Sequence, residues 1–193
     1  MSPFVIYNLT MKKTVVTGFG AFGSNSSNPT EKVVGVLEKR EDMEAHVLPV
    51  VYDRCYSAVR NADASVFLHL GLAASRAEIT VERYAYNEKK ASVPDNDGVV
   101  YSGDEIIPGS PSVLETPFDT ERIAAVLNSS GIKASVSTDP GRYVCNCVYY
   151  NSLALGRRAV FVHLPSEENL PLDKALEAVE RIIEELRAQE ESL

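Results

Sequence analysis

An α/β domain, with a mainly parallel, twisted sheet and helices on both faces, is predicted by three features of the sequence. Strand-like apolar runs alternate with helix-like segments over most of the chain, the order that builds a parallel sheet. Two of those runs, SVFLHLGL at 65–72 and AVFVHL at 159–164, are apolar nearly throughout, as strands covered on both faces must be. The third feature is size: 193 residues, 45% hydrophobic and 24% charged, suffice for one domain with a sizeable core.

The elements follow in order. Residues 14–17, TVVT, read as a buried strand that ends at Gly18. Asn28 and Pro29 then suit the cap and first position of a helix over 29–40, with Val33, Val36 and Leu37 on one face. A strand over 45–52 and a short helix capped by Asp53 and running to about Asn61 come next, before the strand at 65–72. Residues 77–86, AEITVERYAY, are rich in β-branched and aromatic types and read as one strand. The stretch 88–117 is punctuated by Pro94, Gly98, Gly103, Pro108, Gly109, Pro111 and Pro117, which predicts a long irregular excursion of functional rather than neutral character. Asp119 caps a helix over 120–130 that stops at Gly131. A strand at 134–138, a helix at 143–155, the strand at 159–164 and a helix at 172–190 complete the series. In that last helix Leu172, Ala175, Leu176, Val179, Ile182, Ile183 and Leu186 form a one-sided stripe, the mark of a covering helix.

Composition narrows the function. A formal net charge of -8, from 19 Lys and Arg against 27 Asp and Glu, argues against nucleic acid or an anionic membrane as partner, because both require a basic face. Three cysteines, with Cys145 and Cys147 two apart, match neither a disulfide framework nor a CxxC motif. A cytoplasmic protein is therefore expected. Residues 1–13 lack the long apolar core of a secretory signal, and no run approaches a membrane span. No pair of histidines stands at helix or strand spacing, so no metal site is expected.

Four motifs bear on chemistry. GFGAFG, with Gly18, Gly20 and Gly23 after a strand, has the spacing of a dinucleotide fingerprint, but SNSSN separates it from the helix at Pro29. The first acidic residue at a fitting strand end is Asp53, 35 positions after Gly18 (53 - 18). A ligand-binding loop with Phe19 and Phe22 as its aromatic surface is the alternative. In DPGRYVCN, the Asp-Pro-Gly turn places Cys145 near a helix N-terminus, where the macrodipole favours a thiolate. On spacing alone, an unpaired Cys beside Val144 on a helix is more often an inert, buried thiol. Cys147 projects about 200° away from Cys145, and Cys55 falls inside the expected short helix. Among the histidines, His46 reads as a surface residue and His69 as a neutral core imidazole, while His163 sits next to the Pro165 end of its strand, where α/β sites occur. Glu82 interrupts a strand-like run. It fits either a solvent-facing edge position or a carboxylate that orients an imidazole.

Taken in order, VVTGFGAFG, Asn28-Pro29, HLGLAASRAEITVERYAYN, VPDNDG, DPGRYVCN and FVHLP resemble the pyroglutamyl-peptidase I family of cytosolic cysteine peptidases, from about Lys12 to Pro165. The resemblance implies hydrolysis of the bond after an N-terminal pyroglutamyl residue, without a cofactor. It implies Cys145 as nucleophile, His163 as its base, Glu82 as the acidic third member and Phe19 and Phe22 around the lactam ring. Leu72 and Tyr143 join these two as substrate-binding candidates. Small peptides with N-terminal pyroglutamate are the expected partners, together with further copies of the chain in a homo-oligomer. The sequence departs from the family pattern at Leu72 and Ser75, where GLAASR replaces GQAGGR, at Ser92 in place of Arg, and at Pro140 in place of Ala. Two further readings are a pseudoenzyme that has lost its pocket through such changes and a nucleotide-binding module that uses GFGAFG.

Overall fold

A computed structural model describes residues 13–23 and 27–192. Residues 1–11, which precede the start of the resemblance at about Lys12 and read as an N-terminal extension, lie outside the described residues. Six strands form the central sheet: β1 (Thr14–Phe19), β2 (Met43–Leu48), β3 (Val66–Leu72), β4 (Ile79–Glu82), β9 (Ala134–Ser137) and β10 (Ala159–Leu164), in the order β2-β1-β3-β10-β4-β9. Strands β2, β1, β3 and β10 are parallel; β4 runs antiparallel to β10 and parallel to β9. The sheet is thus mainly parallel, as the apolar strands predict.

Helices cover both faces. On one face α1 (Pro29–Leu37), α2 (Thr120–Ser129) and α4 (Leu172–Glu191) enclose a core that includes Val33, Leu37, Ile123, Leu127, Val179, Ile182 and Leu186. The inward stripe of α4 is the one its 3.6-residue spacing requires. On the other face α3 (Val144–Ala154), through Val148 and Tyr149, packs with residues 50–62 over Phe67 and Phe161. Asn28 caps α1 by accepting the Thr30 N–H, and Asp119 caps α2 by accepting the Arg122 N–H.

Two local expectations fail, each for a visible reason. No α-helix forms over 53–61; residues 51–62 instead make successive tight turns, such as Arg54 N–H to Val51 O and Val59 N–H to Tyr56 O. The Tyr52 carbonyl, which a helix would spend on residue 56, accepts the thiols of Cys55 at 3.3 Å and Cys147 at 3.7 Å. Cys55 is accordingly a buried residue of a turn. The run 77–86 is two strands rather than one, because the chain pivots at Arg83: its N–H still bonds Ser137 of β9, whereas its carbonyl turns away to the Thr116 N–H. The second piece, β5 (Tyr84–Tyr86), pairs with β8 (Val113–Glu115) in a small separate sheet. The irregular excursion also contains β6 (Lys89–Lys90) paired with β7 (Ser102–Asp104). Buried side chains hold it in place. Asn87 exchanges hydrogen bonds with both backbone groups of Ile107, and the Asp95 carboxylate accepts the N–H groups of Tyr52, Asp97 and Val99. Among the described residues, no helix is long and apolar enough to cross a membrane.

His69 bonds Thr17 Oγ1 through Nδ1 and Ser152 Oγ through Nε2, each at 2.8 Å, and burial lowers its pKa to about 3. The native state therefore refuses a proton that the unfolded chain accepts near pH 6.5, so His69 makes stability fall as the pH drops from about 6.5 towards 3. Denaturant unfolding of wild type and His69→Gln between pH 7 and 4.5 checks this. The wild-type slope is expected to exceed the variant's by up to about 1.4 kcal/mol per pH unit, the value for one proton.

Candidate active site

The period of two along a strand decides which side chains meet. On β3, Phe67, His69 and Gly71 face α3; on β10, Ala159, Phe161 and His163 do so. Phe19 on β1 shares that face, and Glu82 reaches it from the antiparallel β4, where Thr80 stands opposite His163 in the register. The N-terminus of α3 lies over the same end of the sheet and brings Cys145 to it. A cavity of about 180 Å³ opens there, between Phe19, Phe22, Val50, Leu72, Pro140, Tyr143, Val144, Cys145 and His163, with Asn28 at its edge. It lies at the carboxyl ends of β1, β3 and β10, close to the point where chain connections diverge to opposite sides of the sheet. Two larger open clefts, of about 430 and 490 Å³, are lined by no cysteine and histidine together.

Each predicted site residue has a definite place. His163 Nδ1 is 2.8 Å from Glu82 Oε1, which leaves Nε2 for the cavity. The Glu82 side chain is 0% exposed, so the solvent-facing alternative is excluded. Burial pushes the Glu82 carboxyl up, but its hydrogen bonds from His163 and Arg76 outweigh that and hold the group below its ordinary value. Cys145 is half-buried. A Cβ on Gly71 would stand 3.0 Å from Cys145 Sγ and 2.7 Å from the Phe161 ring, so the bare glycine is what makes room for the thiol against β3.

The expectation of a resting thiolate is not met. Burial, followed by the negative charge of Glu82, pushes the Cys145 thiol up to about 12, more than a backbone hydrogen bond at the helix start and the Arg76 guanidinium lower it. Tyr143 occupies the cap position of α3 without a side-chain hydrogen bond, and the first turn carries no acidic residue. The first N–H groups of that helix are therefore not spent on a side-chain cap.

Of the aromatic candidates, Phe19 is buried and Phe22 lies with its ring 6.3 Å from that of Tyr143. Tyr143 meets Tyr52 edge-on at 5.6 Å and donates its hydroxyl to Pro94 O, which ties this wall to the VPDNDG loop. Asn96 of the same loop bonds Ala21 O, beside Phe22. Leu72 and Pro140, two of the departures, keep the wall apolar; Ser75 and Ser92 are exposed and line no part of the cavity. Asn28 spends its amide on Gly20 O and on the Thr30 cap. His46 pairs with Glu44 on β2, and Cys147 is buried against Tyr52.

Sequence reasoning missed three contributors. Gly71 is hidden because its role depends on register with His163 across the sheet. Arg76 is a turn residue whose partners lie far along the chain. Asn146, next to the nucleophile candidate, bonds Tyr86 N–H, Tyr86 O and Glu88 O and so fixes α3 against β5. Its place inside DPGRYVCN was the available signal.

A sequence model of the pyroglutamyl peptidase family matches residues 12–189. The chain is 32% identical over 176 residues to the pyrrolidone-carboxylate peptidase of Pyrococcus furiosus, covering 84% of this chain and 85% of the relative. It is 34% identical over 176 residues to that of Oceanobacillus iheyensis, covering 84% and 88%. Its fold superposes on the pyrrolidone carboxyl peptidase of Thermococcus litoralis with a TM-score of 0.87 at 27% identity, covering 94% of this chain and 96% of the other. For the Thermus thermophilus enzyme the TM-score is 0.83 at 31% identity, covering 89% and 99%. With the match spanning every residue that lines the cavity, the chain belongs to the pyroglutamyl peptidase family.

Proposed function

We propose that this protein is a cytoplasmic cysteine peptidase that removes N-terminal pyroglutamate from peptides, with Cys145 as nucleophile, His163 as acid and base and Glu82 as the group that orients His163. The observation that carries the reading is the Glu82–His163 hydrogen bond of 2.8 Å at the floor of an apolar cavity that Cys145 also lines. A neutral lactam calls for apolar walls and a few amide partners, which Phe19, Phe22, Leu72 and Tyr143 with nearby backbone groups supply.

The chemistry follows from the geometry. Because the thiol holds its proton, attack begins with transfer from Cys145 Sγ to His163 Nε2 as the sulfur adds to the pyroglutamyl carbonyl. The uncapped N–H groups at the start of α3 are suited to the negative charge that develops on the carbonyl oxygen. His163 then protonates the leaving amine, a thioester remains on Cys145, and water activated by His163 hydrolyses it. Glu82 holds the Nδ1–H tautomer throughout. All three cysteines are free, in keeping with a cytoplasmic setting. The family relatives favour this reading over the pseudoenzyme and over nucleotide binding at GFGAFG, where β1 ends at Phe19 and the helix begins only at Pro29.

Release of a reporter amine from a pyroglutamyl amide tests the roles. Cys145→Ala is expected to abolish turnover with the fold kept, and Glu82→Gln to lower kcat by less, within the roughly 10²- to 10⁴-fold range of acid–base contributions. Unchanged turnover in Cys145→Ala would end the proposal. A separate prediction concerns Gly71→Ala, whose added methyl must displace Phe161 and the thiol. It is expected to cost about 1–3 kcal/mol of stability by overpacking and to depress kcat more than KM. Wild-type kcat with wild-type melting would show that the thiol does not need that space.

A further inference from the structure

We propose that Arg76 is a positioning residue that keeps the Glu82–His163 pair in its working protonation state and couples it to the loop in front of Cys145. The inference rests on the triad reading above and adds a member that the reading does not require. Arg76 lies in the turn after β3, where its N–H bonds Ala73 O at 2.9 Å. Its Nη1 donates to Glu82 Oε1 at 2.5 Å and to Thr80 Oγ1, and its Nη2 donates to Asp139 O at 3.0 Å. The oxygen that accepts Nη1 is the one that receives His163 Nδ1. One carboxylate oxygen is therefore shared by an imidazole and a guanidinium.

The consequence is electrostatic. Glu82 is fully buried, and a buried carboxylate without a fixed counter-charge relieves itself by taking up a proton or by protonating its neighbour. Either result disables a base that must begin each turnover as a neutral imidazole. Arg76 stays charged at every working pH and balances Glu82 without consuming His163. The remaining groups facing the carboxylate do not substitute for it. Thr80 on β4 and Ser137 on β9 are neutral, and Tyr149 on α3 gives its hydroxyl to the Glu82 backbone carbonyl. Cys145 on α3 faces the same charge, and Arg142 is engaged with Asp139 and Glu88.

The second arm of Arg76 is mechanical. Asp139 begins the turn in which its carboxylate accepts the Gly141 N–H, and the chain enters α3 five residues later, at Val144 (144 - 139). Holding Asp139 O and Glu82 with one planar group fixes the distance between the acid of the triad and the approach to the nucleophile. A lysine ammonium supplies the charge but lacks the two-pronged geometry.

The test is the pH profile of kcat and kcat/KM on a pyroglutamyl reporter amide for wild type, Arg76→Met and Arg76→Lys, with folding checked by thermal melting. Arg76 does not line the cavity, so KM is expected to stay within about twofold in both variants, as for a group that does not bind substrate. In Arg76→Met the acid limb is expected to move about one pH unit higher, with kcat reduced roughly 10- to 100-fold. Arg76→Lys is expected to restore the acid limb while recovering only part of kcat. An acid limb that stays at its wild-type position in Arg76→Met would overturn the proposal, as would full wild-type kcat in Arg76→Lys. Should Arg76→Met fail to fold, the Lys variant alone decides: wild-type limb with lowered kcat supports the proposal, and any other pattern rejects it. A wild-type protein that releases no amine at any pH would instead defeat the peptidase reading beneath it.

Discussion

Side-chain alternation along buried strands is the constraint on which the site depends. A shift of one residue in β10 would turn His163 into the core beneath α1, α2 and α4 and bring Leu164 to the cavity. The register that prevents this is fixed by the apolar residues themselves: Val160, Val162 and Leu164 fill one core, while Ala159 and Phe161 fill the other. The same parity sets Gly71 beside His163 and leaves room for the thiol. The hydrophobic pattern that folds the sheet thus also aims the polar residues at its carboxyl end.

Within that frame the dominant cost is electrostatic. Removing a carboxylate from water costs several kcal/mol even after relaxation, and Glu82 recovers this through hydrogen bonds to His163, Thr80 and Arg76. Its negative charge in turn discourages a second anion nearby, which is one reason the Cys145 thiol keeps its proton. Burial and Glu82 outweigh the favourable helix terminus. Under the proposed mechanism the imidazole therefore moves a proton as the bond to sulfur forms, because the thiol does not rest as a thiolate.

Much of this was legible in the sequence, and the pattern of success is physical. Long apolar runs and the stripe of α4 identified the sheet and its covering helix because each reports on local burial. His163 was marked by its position beside Pro165, and Cys145 by the turn before its helix. Glu82 was ambiguous on its own, since a charged residue in a strand suits either an edge or a buried partner; only the strands on either side, β10 and β9, decide. What stayed hidden depends on contacts distant in sequence. In the turns at 51–62 the Tyr52 carbonyl takes the thiol of Cys147, almost a hundred residues away, a contact that no local pattern announces. At the break, the Arg83 carbonyl turns to Thr116, and the contacts of Arg76 form only when Glu82 and Asp139 converge on it.

The proposed function requires a thiol and an imidazole to act together inside the apolar cavity of about 180 Å³. Peptide mapping by mass spectrometry after exposure to a pyroglutamyl chloromethyl ketone, with and without excess free pyroglutamate, measures this most directly. A single adduct on Cys145 that pyroglutamate suppresses is the predicted result. An adduct on Cys55 or Cys147, or one on Cys145 that pyroglutamate leaves unaffected, would contradict it.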